Sequence, residues 1–237
     1  MINTYIEKMK EEYVYEVKLP WKTFASQYKE EKQGSAEIRK LFYRKGYYLM
    51  EGINGYVFWH IDKQLQYTSL FINEKEWMLD DPLHWIGMQE FAKRCSGSVL
   101  VGGLGLGLLV SQLILNNKVN SITVIERNND VIDLISKYLE SSKLEIINDD
   151  YLHFITRNYR HTFDFSILDF WVLDDQSTKF ERQQVNKEIS IFYDITSEIS
   201  KNTWVWGIGD KKYNPVFVDS DMLRKLKREL LGGKHED

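Results

Sequence analysis

The run Val99-Leu100-Val101-Gly102-Gly103-Leu104-Gly105-Leu106-Gly107 constrains this chain more than any other stretch. Its three leading apolar residues read as a short buried strand, and the glycines then demand a tight turn. Leu104 to Asn116 is nearly all apolar, which predicts a helix buried on several sides. A strand, a glycine cluster and a helix in succession open a strand–helix–strand unit. In such a turn the missing side chains let the backbone approach a ligand closely, and the helix start offers unpaired N–H groups. The bland alternative is a turn that only packs helix on strand. Glu126 argues against it. It ends the next strand, Ser121 to Ile125, nineteen residues after Gly107. An acid at that spacing lies beside the glycine turn, where it can accept both hydroxyls of a ribose. Its own alternative is a solvent-exposed carboxylate at a strand end.

The alternation continues. Asn128 to Leu139 predicts a helix capped by Asn128 or Asn129, with Val131, Ile132, Ile135 and Leu139 as its buried stripe. Further strands are expected over Leu144–Ile147, Phe163–Leu168 and Thr203–Ile208, and helices over Tyr151–Asn158, Phe180–Ser200 and Met222–Leu231. Strands alternating with helices predict an α/β fold with a mostly parallel, doubly wound sheet covered on both faces. Residues 47–73 differ: aromatic and β-branched runs broken by Gly52, Asn54-Gly55 and Asp62-Lys63 predict a hairpin or small antiparallel sheet. Residues 82–94 read as a helix with Leu83, Ile86 and Phe91 on one side, and Lys8–Glu12 and Tyr28–Lys32 as solvated helix faces. The small-residue stretch Cys95-Ser96-Gly97-Ser98 marks a boundary between an N-terminal region, residues 1–96, and a ligand-binding domain, residues 97–237.

Two further strand ends carry acids. Asp149 and Asp150 follow the third strand, where one of them can accept from an adenine amino group or cap the next helix; both readings stay open. Asp169 follows the fourth strand and is best placed for catalysis or substrate orientation. Phe170 and Trp171 beside it suit either an apolar or cation-binding wall or ordinary core. Asp164 reads as a turn residue at the strand start.

Composition removes other classes. Lys+Arg is 31 against Asp+Glu 35, a net charge of -4, which argues against nucleic acid as a partner. One cysteine, Cys95, excludes an intrachain disulfide and a cysteine-built zinc site, and the five scattered histidines show no metal-ligand spacing, so no metal is expected. The apolar run from Val99 to Val110 holds four glycines and is too short to cross a bilayer, so a cytoplasmic protein with no membrane partner is expected. There is no Gly-x-Ser-x-Gly and no phosphate-binding loop of the Walker type, so hydrolase and nucleotide-hydrolysing classes lack support. An aromatic content of 14% suits a homodimer interface through residues 47–72 as well as a core.

Together Gly103-x-Gly105-x-Gly107, Glu126, Asp150 and Asp169 resemble the class I S-adenosylmethionine-dependent methyltransferase superfamily, over about residues 97–210. The resemblance implies a Rossmann-like sheet of the methyltransferase type, S-adenosylmethionine as cofactor, and a small-molecule or protein acceptor. It implies that Gly103, Gly105 and Gly107 hold the methionine end, Glu126 the ribose and Asp150 or Asp149 the adenine, with Asp169 near the transferred group. The strand Val-Leu-Val-Gly-Gly and the segment Ile61 to Thr68 are similar to the polyamine synthase (aminopropyltransferase) branch, which implies decarboxylated S-adenosylmethionine as an alternative cofactor. That similarity also places Gln66, with His84 of Asp80-Asp81-Pro82-Leu83-His84, among the substrate contacts. The chain departs from the patterns at Val101, at Leu106 and over Asp169 to Leu173, where acids are usual. Lost carboxylates argue against binding a diamine, and leave a non-catalytic binding or assembly protein as a third reading. Only 29 residues follow Ile208, so the sheet is expected to stop at five strands or to add Val216-Phe217-Val218 as one reduced strand.

Overall fold

The structure, a computed structural model, describes residues 14–16, 21–52, 55–157, 162–172 and 177–205. The expected elements at Lys8–Glu12, 216–218 and Met222–Leu231 lie outside these residues, as does the end of the strand expected over Thr203–Ile208. Two compact units divide the chain. The first comprises Met1–Trp21, Phe42–Leu65 and Pro215–Asp237, and the second Lys22–Leu41 and Gln66–Asn214. Position 96/97 falls inside the second unit.

In the first unit, β1 (Val14–Glu16) pairs parallel with β5 (Gly55–Ile61), and β5 pairs antiparallel with β4 (Gly46–Gly52). The β4–β5 ladder runs from Gly46 opposite Ile61 to Gly52 opposite Gly55, the hairpin that the aromatic runs and Asn54-Gly55 predict.

The second unit opens with β2 (Glu31–Gln33), β3 (Ala36–Tyr43), β6 (Leu65–Ile72) and β7 (Lys75–Leu79), in the order β2-β3-β6-β7. Helix α1 (Pro82–Arg94) follows, capped by Asp81 with Pro82 at its first position, where a missing N–H costs nothing. Then comes the strand–helix alternation: β8 (Gly97–Gly102), α2 (Leu108–Leu115), β9 (Val119–Glu126), α3 (Asn129–Ile135), β10 (Leu144–Asn148), α4 (Tyr151–Arg157), β11 (Phe165–Leu168), α5 (Lys179–Ile199) and β12 (Thr203–Val205). Among the described residues these strands form a five-stranded, all-parallel sheet in the order β10-β9-β8-β11-β12. The chain starts in the middle at β8, builds outward to β10, then returns to the other side of β8. This is a doubly wound, Rossmann-like α/β sheet, and its order reverses between β8 and β11, where ligands bind in such folds.

Alternate strand residues face opposite sides. Val99 and Val101 of β8, Ile122 and Val124 of β9 and Ile167 of β11 join one core with α1, α2 and α3. Leu100, Ile125 and Leu168 join the other with α4 and α5. This two-sided burial is why the strands read as continuous apolar runs.

Several expectations need correction. The helix after the glycines starts at Leu108, not Leu104, because Leu104–Gly107 forms a turn closed by the Gly107 N–H on the Leu104 carbonyl (2.9 Å), with Gly107 left-handed at φ 67°. The buried stripe of α3 contains Leu134, while Ile132 is only partly buried. Tyr28–Lys32 is not a solvated helix face. Tyr28 is 2% exposed and packs on Tyr138, and Glu31–Gln33 is strand β2. Asn128 is the cap of α3, its side chain accepting from the Asp130 N–H. Among the described residues no helix is long and apolar enough to cross a membrane.

Leu100, completely buried at the centre of the sheet, tests the two-sided core. Leu100→Ala is expected to destabilise the chain by about 2–5 kcal/mol in denaturant titration.

Candidate functional site

The glycine turn lies at the carboxyl end of β8, between the ends of β9 and β11. Its backbone is approached from several sides. A Cβ on Gly103 would lie 3.0 Å from the Asp169 carbonyl oxygen and 3.2 Å from the Phe170 Cβ. A Cβ on Gly107 would lie 2.9 Å from Leu139. Gly105 has φ 51°, a left-handed conformation costly for residues with a Cβ, and its Cβ would meet the Met78 sulfur of β7 at 2.5 Å. Met78 Sδ in turn accepts from the Leu106 N–H at 3.3 Å.

Glu126, the last residue of β9, lays its carboxylate against this turn. Oε2 accepts from the Leu104 N–H (2.9 Å) and Oε1 from the Asn128 N–H (2.8 Å). A carboxylate has about four acceptor positions, so both oxygens keep capacity for a ligand's hydroxyls. The acid's setting is tied down from the small sheet. The Asn128 amide donates to Ser35 Oγ (3.1 Å), and the Ser35 N–H and hydroxyl both donate to Asp130 Oδ2 at 2.8 Å. The Tyr28 hydroxyl donates to the Leu106 carbonyl (2.7 Å), closing the turn from below.

The acids after β10 are occupied differently. Asp150 Oδ1 accepts from the N–H groups of Leu152 (2.9 Å) and His153 (3.2 Å), which caps α4. Asp149 pairs with His153 (2.8 Å) and Arg157, and its N–H donates to the Glu126 carbonyl (3.2 Å). The hydrogen bond to His153 and the Arg157 charge hold the Asp149 carboxyl below its usual range against some desolvation.

Asp169 follows β11 on the other side of β8, and its N–H donates to the Gly102 carbonyl (3.1 Å). Burial pushes its carboxyl up, while the charge of His84 pulls it down. His84 sits in the first turn of α1. The helix cap, Asp81, is buried, and its Oδ1 accepts from both the His84 N–H (2.8 Å) and Nδ1 (2.9 Å). Burial opposes a charge on His84, but Asp81, then Asp169 and Glu76, outweigh it and push the imidazole up to about 9. Its side chain remains 41% exposed, so water screens part of that attraction.

Phe170 stacks on Trp171 with ring centroids 4.2 Å apart and lies near Tyr151 and Phe192. Trp171 is 9% exposed and belongs to the α4–α5 core, its Nε1–H directed at Glu188 (3.4 Å). Gln66 projects from β6 into solvent. The structure thus gathers the glycine turn, Glu126, Asp169 and Phe170 at the end of β8, with Asp149 bonded to the Glu126 backbone and His84 electrostatically coupled to Asp169. Sequence reasoning missed Met78, Tyr28 and Ser35, whose contacts join distant segments. The Asp-Pro start of α1 signals Asp81 as a cap but not its grip on the His84 ring.

Asp164 bonds the Ser98 N–H (2.9 Å) and hydroxyl and pairs with Lys201, which holds its carboxyl down at about 2 and fixes the start of β11. Among the described residues no group of three or more His, Cys, Asp or Glu side chains is placed to hold a metal ion.

The sequence matches no family model and no curated protein. Among solved structures, the chain is similar to a spermidine synthase from Thermotoga maritima, at 15% identity and a TM-score of 0.42, covering 68% of this chain and 60% of that one. It is also similar to a Streptococcus mutans protein described as a SAM-dependent methyltransferase, at 14% identity and a TM-score of 0.44, covering 76% of this chain and 50% of that one. The chain thus spans half to three fifths of the length of these two structures.

Two outcomes follow from the geometry. Gly105→Ala is expected to destabilise the chain by about 1–3 kcal/mol in denaturant titration. In the Met78→Ala background the penalty shrinks to the backbone part alone, because the steric contact is gone. The raised His84 imidazole contributes stability fully below about pH 6.5, its ordinary value, and that contribution fades as pH rises through about 9. The melting-temperature difference between the wild type and His84→Asn is therefore expected to be largest near pH 6 and to shrink above pH 9.

Proposed function

We propose that the chain is an S-adenosylmethionine-dependent transferase that methylates a small-molecule or protein acceptor. The observation that carries this reading is the Glu126 carboxylate, held on the glycine turn by the Leu104 N–H at the carboxyl end of the sheet. Two strand-end acids flank β8 there, one beside the turn and one across it, an arrangement suited to a nucleoside on one side and a reacting group on the other. A Cβ on Gly103 or Gly105 would press on the Asp169 carbonyl or the Met78 sulfur, so the glycines keep the turn in the shape that sets its backbone beside Glu126.

In this reading Glu126 accepts the two ribose hydroxyls through its remaining lone pairs. Asp149 and Asp150 lie at the adenine end, where each keeps acceptor capacity beyond its present bonds. Bound cofactor supplies an activated carbon on a sulfonium, so the protein's task is chiefly positioning and exclusion of water. Phe170 walls the reacting end, with Trp171 packed behind it, and Asp169 orients the acceptor or takes its proton. Gln66 lies further out on β6, as a contact for a larger acceptor.

A second reading is aminopropyl transfer from decarboxylated S-adenosylmethionine. The carboxylates of Asp81, which holds the His84 ring, and of Asp169 and Glu76, whose charges also act on it, favour this reading, because carboxylates suit an amine acceptor. The departures at Val101 and Leu106 favour a third, a binding or assembly protein that kept the fold.

Calorimetric titration with S-adenosylmethionine, S-adenosylhomocysteine and decarboxylated S-adenosylmethionine decides among them. Binding of the first two, weakened about 10- to 100-fold in Glu126→Ala, is expected from the loss of hydrogen bonds to a charged acceptor. Preference for the decarboxylated form promotes the second reading, and no binding of any ligand removes the first two.

A further inference from the structure

Taking the glycine turn as the cofactor site, as in the reading above, we propose that Met78 determines specificity there: it withholds a turn N–H that a tail carboxylate would need, so the site grips its ligand by the nucleoside and leaves the carboxylate of an amino-acid tail unheld. Most of the turn's N–H groups are already taken. Gly103 donates to the Ile125 carbonyl (2.9 Å), Leu104 to Glu126 Oε2 (2.9 Å), Leu106 to Met78 Sδ (3.3 Å) and Gly107 to the Leu104 carbonyl (2.9 Å). From Gly103 to Gly107, Gly105 alone keeps an N–H without a partner among the described residues. Burial narrows access further. Gly103 and Gly105 are the half-buried members of the turn. Leu104, Leu106 and Gly107 are buried, and so are Leu108, Leu109 and Val110, whose N–H groups open α2. A ligand at this edge therefore meets one free, neutral donor.

Met78 is well placed to withhold its donor. Its sulfur lies 2.5 Å from where a Cβ on Gly105 would stand, so it fills the space on that side of the turn. The Tyr28 hydroxyl donates to the Leu106 carbonyl (2.7 Å), so both polar groups of Leu106 are fixed by side chains. A carboxylate has about four acceptor positions and leaves water only for several donors or a cation. The side chains closest to the turn's glycines, those of Leu168, Phe170, Met78, Leu139, Ile135 and Tyr28, carry no positive charge. The Glu126 carboxylate, seated on the Leu104 N–H, repels a second anion. The same carboxylate suits a nucleoside, whose ribose brings hydroxyl donors.

Calorimetric titration of the full chain with S-adenosylhomocysteine, with its decarboxylated analogue and with methylthioadenosine tests this. The first two differ only in the carboxylate, and the third keeps the nucleoside without the tail. S-adenosylhomocysteine is expected to bind no more than about fivefold more tightly than its decarboxylated analogue, where a carboxylate held by two N–H groups would separate them by well over 10-fold. Met78→Ala frees the Leu106 N–H and opens the space beside Gly105. In that variant S-adenosylhomocysteine is expected to gain about 10-fold relative to the analogue. The wild-type comparison stands even if Met78→Ala fails to fold. A wild-type preference for S-adenosylhomocysteine above about fivefold, or a ratio that folded Met78→Ala leaves unchanged, overturns the proposal and leaves the transferase reading intact. If none of the three thioethers binds, the transferase reading falls and this proposal falls with it.

Discussion

The close approach of other segments to a backbone without side chains governs this site. Around Gly102–Gly107, Leu168 and Phe170 press on Gly102, Asp169 on Gly103, Met78 on Gly105, and Leu139 on Gly107. These neighbours come from three parts of the chain, so the turn is where β7, the segment that follows α3 and the end of β11 meet. A methyl group at most of these positions would push one of them away. The glycines therefore serve assembly as well as any ligand: the same absence of Cβ atoms that could admit a cofactor admits the side chains that frame it.

Hydrogen bonding extends the arrangement outward. Glu126 holds the Leu104 N–H, Tyr28 holds the Leu106 carbonyl, and Ser35 links Asn128 to Asp130. Tyr28 and Ser35 belong to the segment Lys22–Leu41, which therefore supports the ligand end of the sheet from within the same compact unit. Desolvation raises the Tyr28 hydroxyl well above its ordinary value, so it stays a neutral donor at physiological pH. Asp80, buried nearby, is satisfied by the Thr68 N–H and the Thr23 hydroxyl, and Lys40 completes that network through Thr68 and the Ala25 carbonyl. Polar groups buried this deeply persist because their partners are supplied.

The electrostatics divide the site into two ends. On the β10 side, Asp149 pairs with His153 and Arg157, and Asp150 caps α4. On the β11 side, Asp81 holds His84, whose charge is favoured also by Asp169 and Glu76.

Much of this was legible in the residues. The strand at Val99–Val101, the glycine turn, the helix at 82–94, the Asn128 cap and the strand ending at Glu126 follow from periodicity, turn chemistry and spacing, which are local and survive in one dimension. The position of Glu126 beside the turn was legible too, because a right-handed strand–helix–strand crossover leaves few places for the second strand to end. The start of α2 was not, since the apolar run continues through a turn whose left-handed glycines delay the helix. Nor was the core place of Tyr28, whose flanking charges resemble a solvated surface until its hydroxyl finds a carbonyl 78 residues away. Met78 over Gly105, the Asp81 grip on His84 and its coupling to Asp169 belong to the tertiary structure alone. They depend on where β7 and α1 come to rest against the sheet, and the distances and dielectric that give those contacts their strength exist only after the chain has packed.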